Sequence, residues 1–531
     1  MTIRAFLLPV PAALLCLATA ARAQDSARAQ DSARARNSVR AEHGAARDSV
    51  RTRDPVRAQR AGIAEDSARA TSAAGAQDSG RATVARGAHA YADVAGRIME
   101  AALADSSAYA RMVRLVDRFG NRPVGSARLE AAIDWIIESM RADGLANVRG
   151  EPVRVPHWER GSESAELVAP RRARLHMLGL GRSVGTRAKG ITAPVLVVGS
   201  FDELARRAAE ARGKIVLFDV PFATDRNPFD VYDDVVRYRV DGASAAARVG
   251  AVAALVRSVA SYSIQSPHTG TMRYDSTTRR IPTAALSVED AELIHRLSDA
   301  GARVVVRLRM GARMLADATS RNVVAELPGR ERPDEVVVVG GHIDSWDVGE
   351  GAMDDAGGAV ASWQAVRLLR RLGLTPRRTV RVVLWTNEEM GGRGGLAYRD
   401  RHAAELDRHV LAVETDNGVF APRGFAFAGS DAAASVLRQV AALLDRVGPV
   451  TVERSAESPD ADLEPLVDSH VPAIGLRVDP SRYFWFHHSE ADTPDKLDPA
   501  EMARCVAALA VLTYVVADLP EPLPRLARAT R

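Results

Sequence analysis

Cysteine is nearly absent from this chain of 531 residues, which contains only Cys16 and Cys505. Cys16 lies in a leading apolar stretch that we expect to be removed, so a single thiol remains. One thiol cannot form an internal disulfide, and the fold must therefore depend on its hydrophobic core. Cys505 lies in a predicted helix, where we interpret it as a buried small apolar residue.

Long apolar runs are also scarce, and the first one lies at the amino terminus. Arg4 precedes the apolar stretch 5–18, and Ala21-Arg22-Ala23 follows it. A short basic start, a brief hydrophobic segment and an A-x-A exit are typical of a cleavable signal peptide, here residues 1–23. We identify no later stretch long and apolar enough to span a membrane. The sequence therefore predicts an exported protein, periplasmic or extracellular, without a transmembrane segment.

Large apolar side chains are almost missing from residues 24–86. The phrase Ala-Gln-Asp-Ser-Ala-Arg occurs at 23–28 and 29–34 and returns with small changes at 64–69 and 76–81. Burial of so few apolar groups cannot offset the entropy lost on ordering, so we predict a low-complexity disordered tether. Part of the formal charge of +4 belongs to this segment. The rest of the chain is close to neutral, which gives no reason to expect a nucleic-acid partner.

From residue 87 the pattern becomes that of a folded α/β protein. Apolar runs alternate with helical stretches, which predicts a mixed, mostly parallel central sheet flanked by helices. We expect two amphipathic helices at 90–117 and 127–143. The expected divisions are the amino-terminal part of the main domain (87–159), an inserted unit with its own strands and a helix at 288–300 (160–320), the remainder of the main domain (321–520) and a tail (521–531).

The main domain after residue 320 has four predicted strands, at 336–340, 380–385, 410–414 and 473–478. Ligands collect at the carboxyl ends of strands in open α/β sheets. His342 follows the first strand, and Asp344 is placed to orient the ring of His342 without itself binding metal. Asp354 lies among glycines and alanines directly before a predicted helix. One aspartate suffices as a helix cap, so the second one at this point favours a carboxylate that bridges two metal ions.

Acidic residues and a histidine follow the remaining strands. Glu388 and Glu389 end the second strand, where two carboxylates repel each other unless cations lie beside them. Successive residues of extended chain point in different directions, so we assign Glu388 as the general base and Glu389 as a metal ligand. Asp416 ends the third strand. His488 follows the aromatic run 483–486, and the whole set provides the donors that two zinc ions and an activated water require.

These segments together resemble the zinc-dependent exopeptidase family that contains bacterial leucyl aminopeptidases and glutamate carboxypeptidase, and most of all its carboxypeptidase Q branch. The matching stretches are GHIDSWDVGEGAMDD at 341–355, LWTNEEMGG at 384–392, YFWFHHS at 483–489 and EPVRVPHWERG at 151–161. The resemblance covers residues 88–520. It implies the di-zinc exopeptidase fold, a protease-associated domain at 160–320, short peptide substrates and a homodimer.

The resemblance also implies a division of labour among the site residues. His342 and Asp416 are expected to hold one Zn²⁺, and Glu389 and His488 the other, with Asp354 bridging the two. Glu388 is expected to act as acid and base, and the peptide bond from Asp354 to Asp355 is expected to be cis.

Four functions remain open on the sequence. The first is a secreted exopeptidase of the carboxypeptidase Q type that cleaves dipeptides or short peptides. The second is an aminopeptidase that uses the same metals. The third is an acyltransferase similar to glutaminyl cyclase, with one zinc, and the full set of five ligands disfavours it. The fourth is a metal-free binding ectodomain, which predicts lost ligands where none is missing.

Overall fold

The structure is a computed structural model that describes residues 90–526. The expected signal peptide, the expected tether and the last five residues of the expected tail lie outside the described residues. The helices of the described chain are α1 Ala92–Leu103, α2 Ser107–Phe119, α3 Ala127–Ala142, α4 Phe201–Arg206, α5 Ala208–Ala211, α6 Pro228–Arg248, α7 Val288–Asp299, α8 Gly357–Arg371, α9 Arg393–Arg401, α10 Asp431–Ala441, α11 Glu464–Asp468, α12 Tyr483–Phe486 and α13 Pro499–Asp518. The strands are β1 Ala146–Val155, β2 Trp158–Glu159, β3 Glu163–Ala169, β4 Ala173–Leu175, β5 Met177–Gly179, β6 Ile191–Val198, β7 Ile215–Phe218, β8 Ala253–Arg257, β9 Thr283–Leu286, β10 Val305–Met310, β11 Arg313–Met314, β12 Ala318–Leu327, β13 Arg332–His342, β14 Arg378–Trp385, β15 His409–Glu414, β16 Pro422–Ala428, β17 Thr451–Arg454 and β18 Ala473–Val478.

The main sheet has eight strands in the order β1-β12-β14-β13-β15-β18-β16-β17. Its four central strands, β14, β13, β15 and β18, run parallel and are the four predicted from the sequence. Every residue of β14 is buried, as expected for a parallel strand covered on both faces. Helices α3, α8, α9 and α13 pack against the sheet. The predicted mixed α/β fold with a helix-flanked sheet is confirmed.

The chain between β1 and β12 forms a second sheet, in the order β4-β3-β10-β6-β7-β8-β9-β5. Strands β1 and β12 pair directly with each other, so the chain leaves the main sheet and returns beside the strand that it left. Strands β6 to β9 are parallel. The expected strands of this unit and its helix α7 are present. Its identity as a protease-associated domain stays a prediction.

The single helix expected at 90–117 is wrong, because the structure has two helices there. Helix α1 ends at Leu103 and α2 begins at Ser107. The Asp105 carboxylate accepts the backbone N–H of Ser107 at 2.8 Å. A short acidic side chain that captures a backbone donor in this way interrupts the helical ladder and starts a new helix.

Helix α13 corrects the expectation that no late stretch has the composition of a membrane span. By length and apolar composition Pro499–Asp518 is able to cross a membrane, but 83% of its most apolar window is buried inside the protein. It packs on α1, α8 and the main sheet. It contains Cys505, as predicted, and begins after Asp498, whose side chain accepts the N–H groups of Ala500 and Glu501. The helix is therefore a core element of the fold.

Candidate metal centre

The predicted ligands meet at one edge of the main sheet. His342 is the last residue of β13, and Glu389 and Asp416 lie in the loops that follow β14 and β15. Because these strands are parallel and adjacent, their carboxyl ends open into the same crevice. His488 enters the crevice from the loop after α12. Chain segments separated by 146 residues thus bring their polar groups together, from His342 to His488.

The carboxylate of Asp354 lies between the two histidines. Its Oδ1 is 3.1 Å from His342 Nε2, and its Oδ2 is 3.3 Å from His488 Nε2. On one side, Asp416 Oδ1 lies 3.3 Å from His342 Nε2. On the other side, Glu389 Oε2 lies 3.0 Å from His488 Nε2. The five predicted ligands therefore form two donor groups that share one aspartate.

A second histidine adjoins this centre. His487 Nε2 lies 3.7 Å from Asp354 Oδ2, and its ring stacks on that of His488 with centroids 3.5 Å apart. Asp354, His487 and His488 have ligand atoms close enough to surround one ion. Both histidines are buried. The sequence pattern favoured His488 alone and assigned no role to its neighbour.

The loop that carries Asp354 is held by backbone hydrogen bonds. Asp355, joined to Asp354 by the expected cis peptide bond, accepts the N–H groups of His342 and Gly358, each at 3.0 Å. Asp492 accepts those of Ala352, Met353 and Asp354 at 2.6 to 3.1 Å. The first acidic residue of the pair thus faces the centre while the second caps the helix.

Asp344 contacts both the histidine and the glutamate turn. Its backbone oxygen, rather than its carboxylate, lies 2.9 Å from His342 Nδ1. Its carboxylate accepts the N–H groups of Glu388 and Glu389, each at 3.2 Å. One residue therefore fixes the ring of His342 and the position of both glutamates. The half-buried side chain of Glu388 lines the cleft beside the centre.

The buried carboxylates of the centre form an environment that favours a bound cation. Burial raises the pKa of Glu388 well above its ordinary value, and the nearby Asp416 and Glu389 raise it further. Burial raises the pKa of Glu389 to about 7. Within residues 90–526, Asp354 Oδ2 and Glu389 Oε1 are buried without a hydrogen bond. Buried orphan oxygens beside imidazole nitrogens are the donors that Zn²⁺ takes, so the residues present fit this metal.

The cleft above the centre has a volume of about 700 Å³. Tyr483 and Phe484 of α12 form part of its wall, so two of the four aromatic residues that precede the histidines line the cleft. Helix α6 of the second sheet contributes Tyr232 and Arg239. The cleft is therefore built from both sheets of the chain.

The comparisons with known proteins now decide the family. The model of peptidase family M28 matches residues 322–513. Carboxypeptidase Q of Mus musculus is 47% identical over 438 residues, which cover 82% of this chain and 91% of that protein. The chain belongs to peptidase family M28. The resemblance to the carboxypeptidase Q branch is thereby confirmed, and with it the expectation of a metallo-exopeptidase.

Solved structures agree with this M28 assignment. A peptidase M28 precursor from Shewanella amazonensis is 33% identical, has a TM-score of 0.80 and covers 83% of this chain and 100% of its own. A zinc aminopeptidase from Bacillus subtilis shares the fold, with a TM-score of 0.57 at 19% identity, over 78% of this chain and 98% of its own. The M28 architecture therefore extends over both sheets.

Three residues around the M28 centre escaped the sequence reasoning. Asp492 ends the spacing His-Ser-x-x-Asp that begins at His488, and this spacing is the available signal for its role. Arg122 donates to four backbone carbonyls, among them those of Ile343, Glu350 and Gly351. Neither it nor Arg239 lies in a motif. Their roles follow only from the folded structure.

Proposed function

We propose that this M28 peptidase is an exported two-zinc exopeptidase that hydrolyses dipeptides or short peptides in the manner of a carboxypeptidase. The observation that supports this most directly is the position of Asp354, whose two oxygens face His342 and His488 separately. A single metal needs no carboxylate between two donor groups. The same observation disfavours a one-zinc acyltransferase.

The proposed ligands are His342, Asp416 and Asp354 for one ion and Glu389, His488 and Asp354 for the other. Bound zinc supplies Lewis acidity, which polarises a peptide carbonyl and lowers the pKa of water. The residues around the ions orient these ligands. The Asp344 carbonyl accepts the Nδ1 hydrogen of His342 and leaves Nε2 free to bind metal.

Glu388 is the proposed general base. Its carboxylate accepts a proton from the attacking water and returns it to the nitrogen of the leaving amine. Its backbone N–H is fixed by Asp344, so the side chain projects from a rigid turn into the cleft. A raised pKa suits this task, since the group must both take up and release a proton near neutral pH.

The first test is a dipeptide library digested with and without a chelator, with free amino acids as the readout. We expect hydrolysis that the chelator abolishes and zinc restores. Glu388→Gln should keep its zinc by elemental analysis and lose turnover by at least about a hundredfold, since general-base catalysis contributes that much or more. His342→Ala should lose zinc as well as activity. Undiminished turnover in Glu388→Gln would refute the assignment.

We also propose that residues 160–320, which contain β3 to β10, form a protease-associated domain. Support comes from its insertion between two paired strands of the main sheet and from its contribution to the cleft wall.

The alternative function is an aminopeptidase that uses the same metals. Substrates with a blocked amino end or a blocked carboxyl end distinguish the two activities, because each enzyme requires the corresponding end to be free.

A further inference from the structure

Five arginines are buried in the part of the chain that the structure describes, and one of them differs from the rest. They are Arg122, Arg160, Arg239, Arg378 and Arg381. Arg122 donates to four backbone carbonyls. Arg160, Arg378 and Arg381 each form an ion pair with a carboxylate. Among residues 90–526, Arg239 alone of the five has neither a carboxylate within ion-pair distance nor an acceptor for its Nε.

Arg239 is 5% exposed and lines the cleft. Its Nη2 donates to the Tyr232 hydroxyl at 2.8 Å, and its Nη1 lies 3.5 Å from the Thr269 carbonyl. Its Nε has no partner within the described chain. A guanidinium carries five N–H groups, and an unpaired buried cation is costly. The N–H groups of this side chain are therefore incompletely paired, and the side chain lies in the wall of the cleft.

The space for this guanidinium is built into the fold. Gly270 lies against it, and a Cβ at that position would lie 2.3 Å from Arg239 Cζ. Tyr232 contacts the guanidinium through both its hydroxyl and its ring, whose centroid is 5.5 Å from Cζ. A group held on two sides in this way is a preorganised donor, since little side-chain freedom remains to be lost on binding.

The one remaining contact of Arg239 is incompatible with the proposed role of His488. Arg239 Nη1 lies 3.4 Å from His488 Nδ1. A neutral imidazole that binds metal through Nε2 carries its hydrogen on Nδ1, so that both atoms of this contact are donors. Arg239 must then find an acceptor elsewhere. A substrate beside the metal centre is able to supply one.

We propose that Arg239 binds the free α-carboxylate of the substrate and so makes this enzyme selective for peptides whose carboxyl terminus lies next to the scissile bond. This proposal rests on the proposed function and deepens it. A carboxylate is the anion that a guanidinium fork binds best. No other lysine or arginine lines the cleft among the described residues, whereas the carboxylates of Glu464 and Asp468 line its α11 wall. Arg239 is thus the one cationic anchor that an anionic peptide end meets there.

The test compares one dipeptide, the one cleaved fastest in the library, with its C-terminal amide and its N-acetyl derivative. Wild-type enzyme should prefer the free acid to the amide by about tenfold to a hundredfold, the range for hydrogen bonds to a charged group. Arg239→Met should lower kcat/KM for the free acid by a similar factor and for the amide by less than about threefold. Arg239→Lys should recover part of the preference. N-acetylation should have a smaller effect than amidation.

Two controls distinguish a loss of substrate recognition from damage to the fold or to the metal centre. Arg237→Met makes the same change on the exposed side of the same helix and should leave the acid-to-amide ratio unaltered. Zinc content of Arg239→Met, measured by elemental analysis, should match that of the wild type. Calorimetry with leucine and leucinamide gives a readout without turnover. Leucine should bind more weakly to Arg239→Met than to the wild type, and leucinamide should bind the two equally.

Several outcomes overturn the proposal. They are equal cleavage of acid and amide by the wild type, an equal loss on both substrates in Arg239→Met, and loss of zinc from that variant. A strong effect of N-acetylation without one of amidation points instead to an amino-end anchor. If the wild type cleaves no dipeptide, the proposed function fails, and calorimetry still decides the role of Arg239. Equal affinity for leucine and leucinamide, or no binding of either, then rejects it.

Discussion

Asp492 holds the segment that leads into Asp354 through three backbone hydrogen bonds. Its side chain is 3% exposed, and the three donors are the N–H groups of residues 352 to 354. Without the carboxylate these buried donors lose their acceptors, which costs about 1–3 kcal/mol for each group. The orientation of the proposed bridging ligand therefore depends on a residue that touches no proposed metal position.

We expect Asp492→Ala to lower the free energy of unfolding by about 3 kcal/mol or more and to lower zinc occupancy. Asp492→Asn keeps the oxygen that serves Ala352 and Met353 and should show an intermediate loss. Urea titration and elemental analysis measure the two effects. Glu490→Ala, an exposed change in the same loop, is the control. Wild-type zinc content in Asp492→Ala would contradict this account.

At the level of single residues, the sequence indicates the proposed metal ligands more clearly than the residues that hold those ligands in place. His342, Glu389 and Asp416 stand out because such side chains are unusual directly after buried strands. Asp354 and His488 stand out by their positions before a helix and after an aromatic run. Asp492 and Arg122 were not assigned roles, because their partners are backbone atoms. Which backbone N–H and carbonyl groups need a side-chain partner depends on how the loops fold, so it cannot be inferred from the sequence.

The first turn of helix α8 packs so closely against the sheet that Gly358 has no room for a side chain. A Cβ at Gly358 would lie 2.0 Å from the Thr415 carbonyl and 2.3 Å from Asp355 Oδ1. The glycine lets the first turn of the helix approach the end of β15, and this approach sets the spacing between Asp354 and Asp416. The packing of one element thus determines the width of the proposed metal centre.

Gly358→Ala should therefore destabilise the fold by about 1–3 kcal/mol or more through overpacking, despite the better helix propensity of alanine. Gly96→Ala is the matched control, since Gly96 lies within helix α1 and has nothing within 4 Å of an added Cβ. It should be neutral or stabilise by about 0.5–1 kcal/mol. Thermal melting compares the two. Equal melting temperatures would show that the close contact relaxes without cost.

The elements that the sequence predicted are those with a clear apolar pattern. The four parallel strands lie close to their predicted bounds, and α8 lies after Asp354, where a helix is predicted. Helix α6 was missed, because its buried residues include Arg239, Gly242 and Ser244, which break the apolar periodicity. Arg239, which interrupts the apolar pattern of α6, is thus also the proposed substrate anchor. The buried face of α6 is mixed, since Val231 and Ala243 pack in hydrophobic clusters while Arg239 lines the cleft.

A buried polar network links several elements of the main sheet at a distance from the metal centre. Arg381 of β14 donates to Glu326 of β12 and to the Tyr398 hydroxyl of α9. That hydroxyl lies 2.9 Å from His409 Nε2, and His409 Nδ1 lies 3.0 Å from the Glu405 carbonyl. Because Nδ1 donates to the carbonyl, Nε2 accepts from Tyr398. The histidine is satisfied only while neutral.

The stability of the whole molecule should therefore depend on pH through His409. Burial lowers the pKa of His409 to about 4 from its ordinary 6.5. Between these values the unfolded chain binds a proton that the folded chain does not, so stability is full above pH 6.5 and falls as the pH drops toward 4. The loss from this residue between pH 7.5 and 5 is about 2 kcal/mol.

His409→Gln should remove that component, so urea titrations of metal-stripped protein should show a smaller drop in stability from pH 7.5 to 5. Metal-stripped samples exclude the pH dependence of zinc binding, and the contribution of every other group is common to both proteins. His470→Gln, an exposed histidine, should leave the drop unchanged. An equal drop in wild type and His409→Gln would mean that the network accommodates the protonated ring.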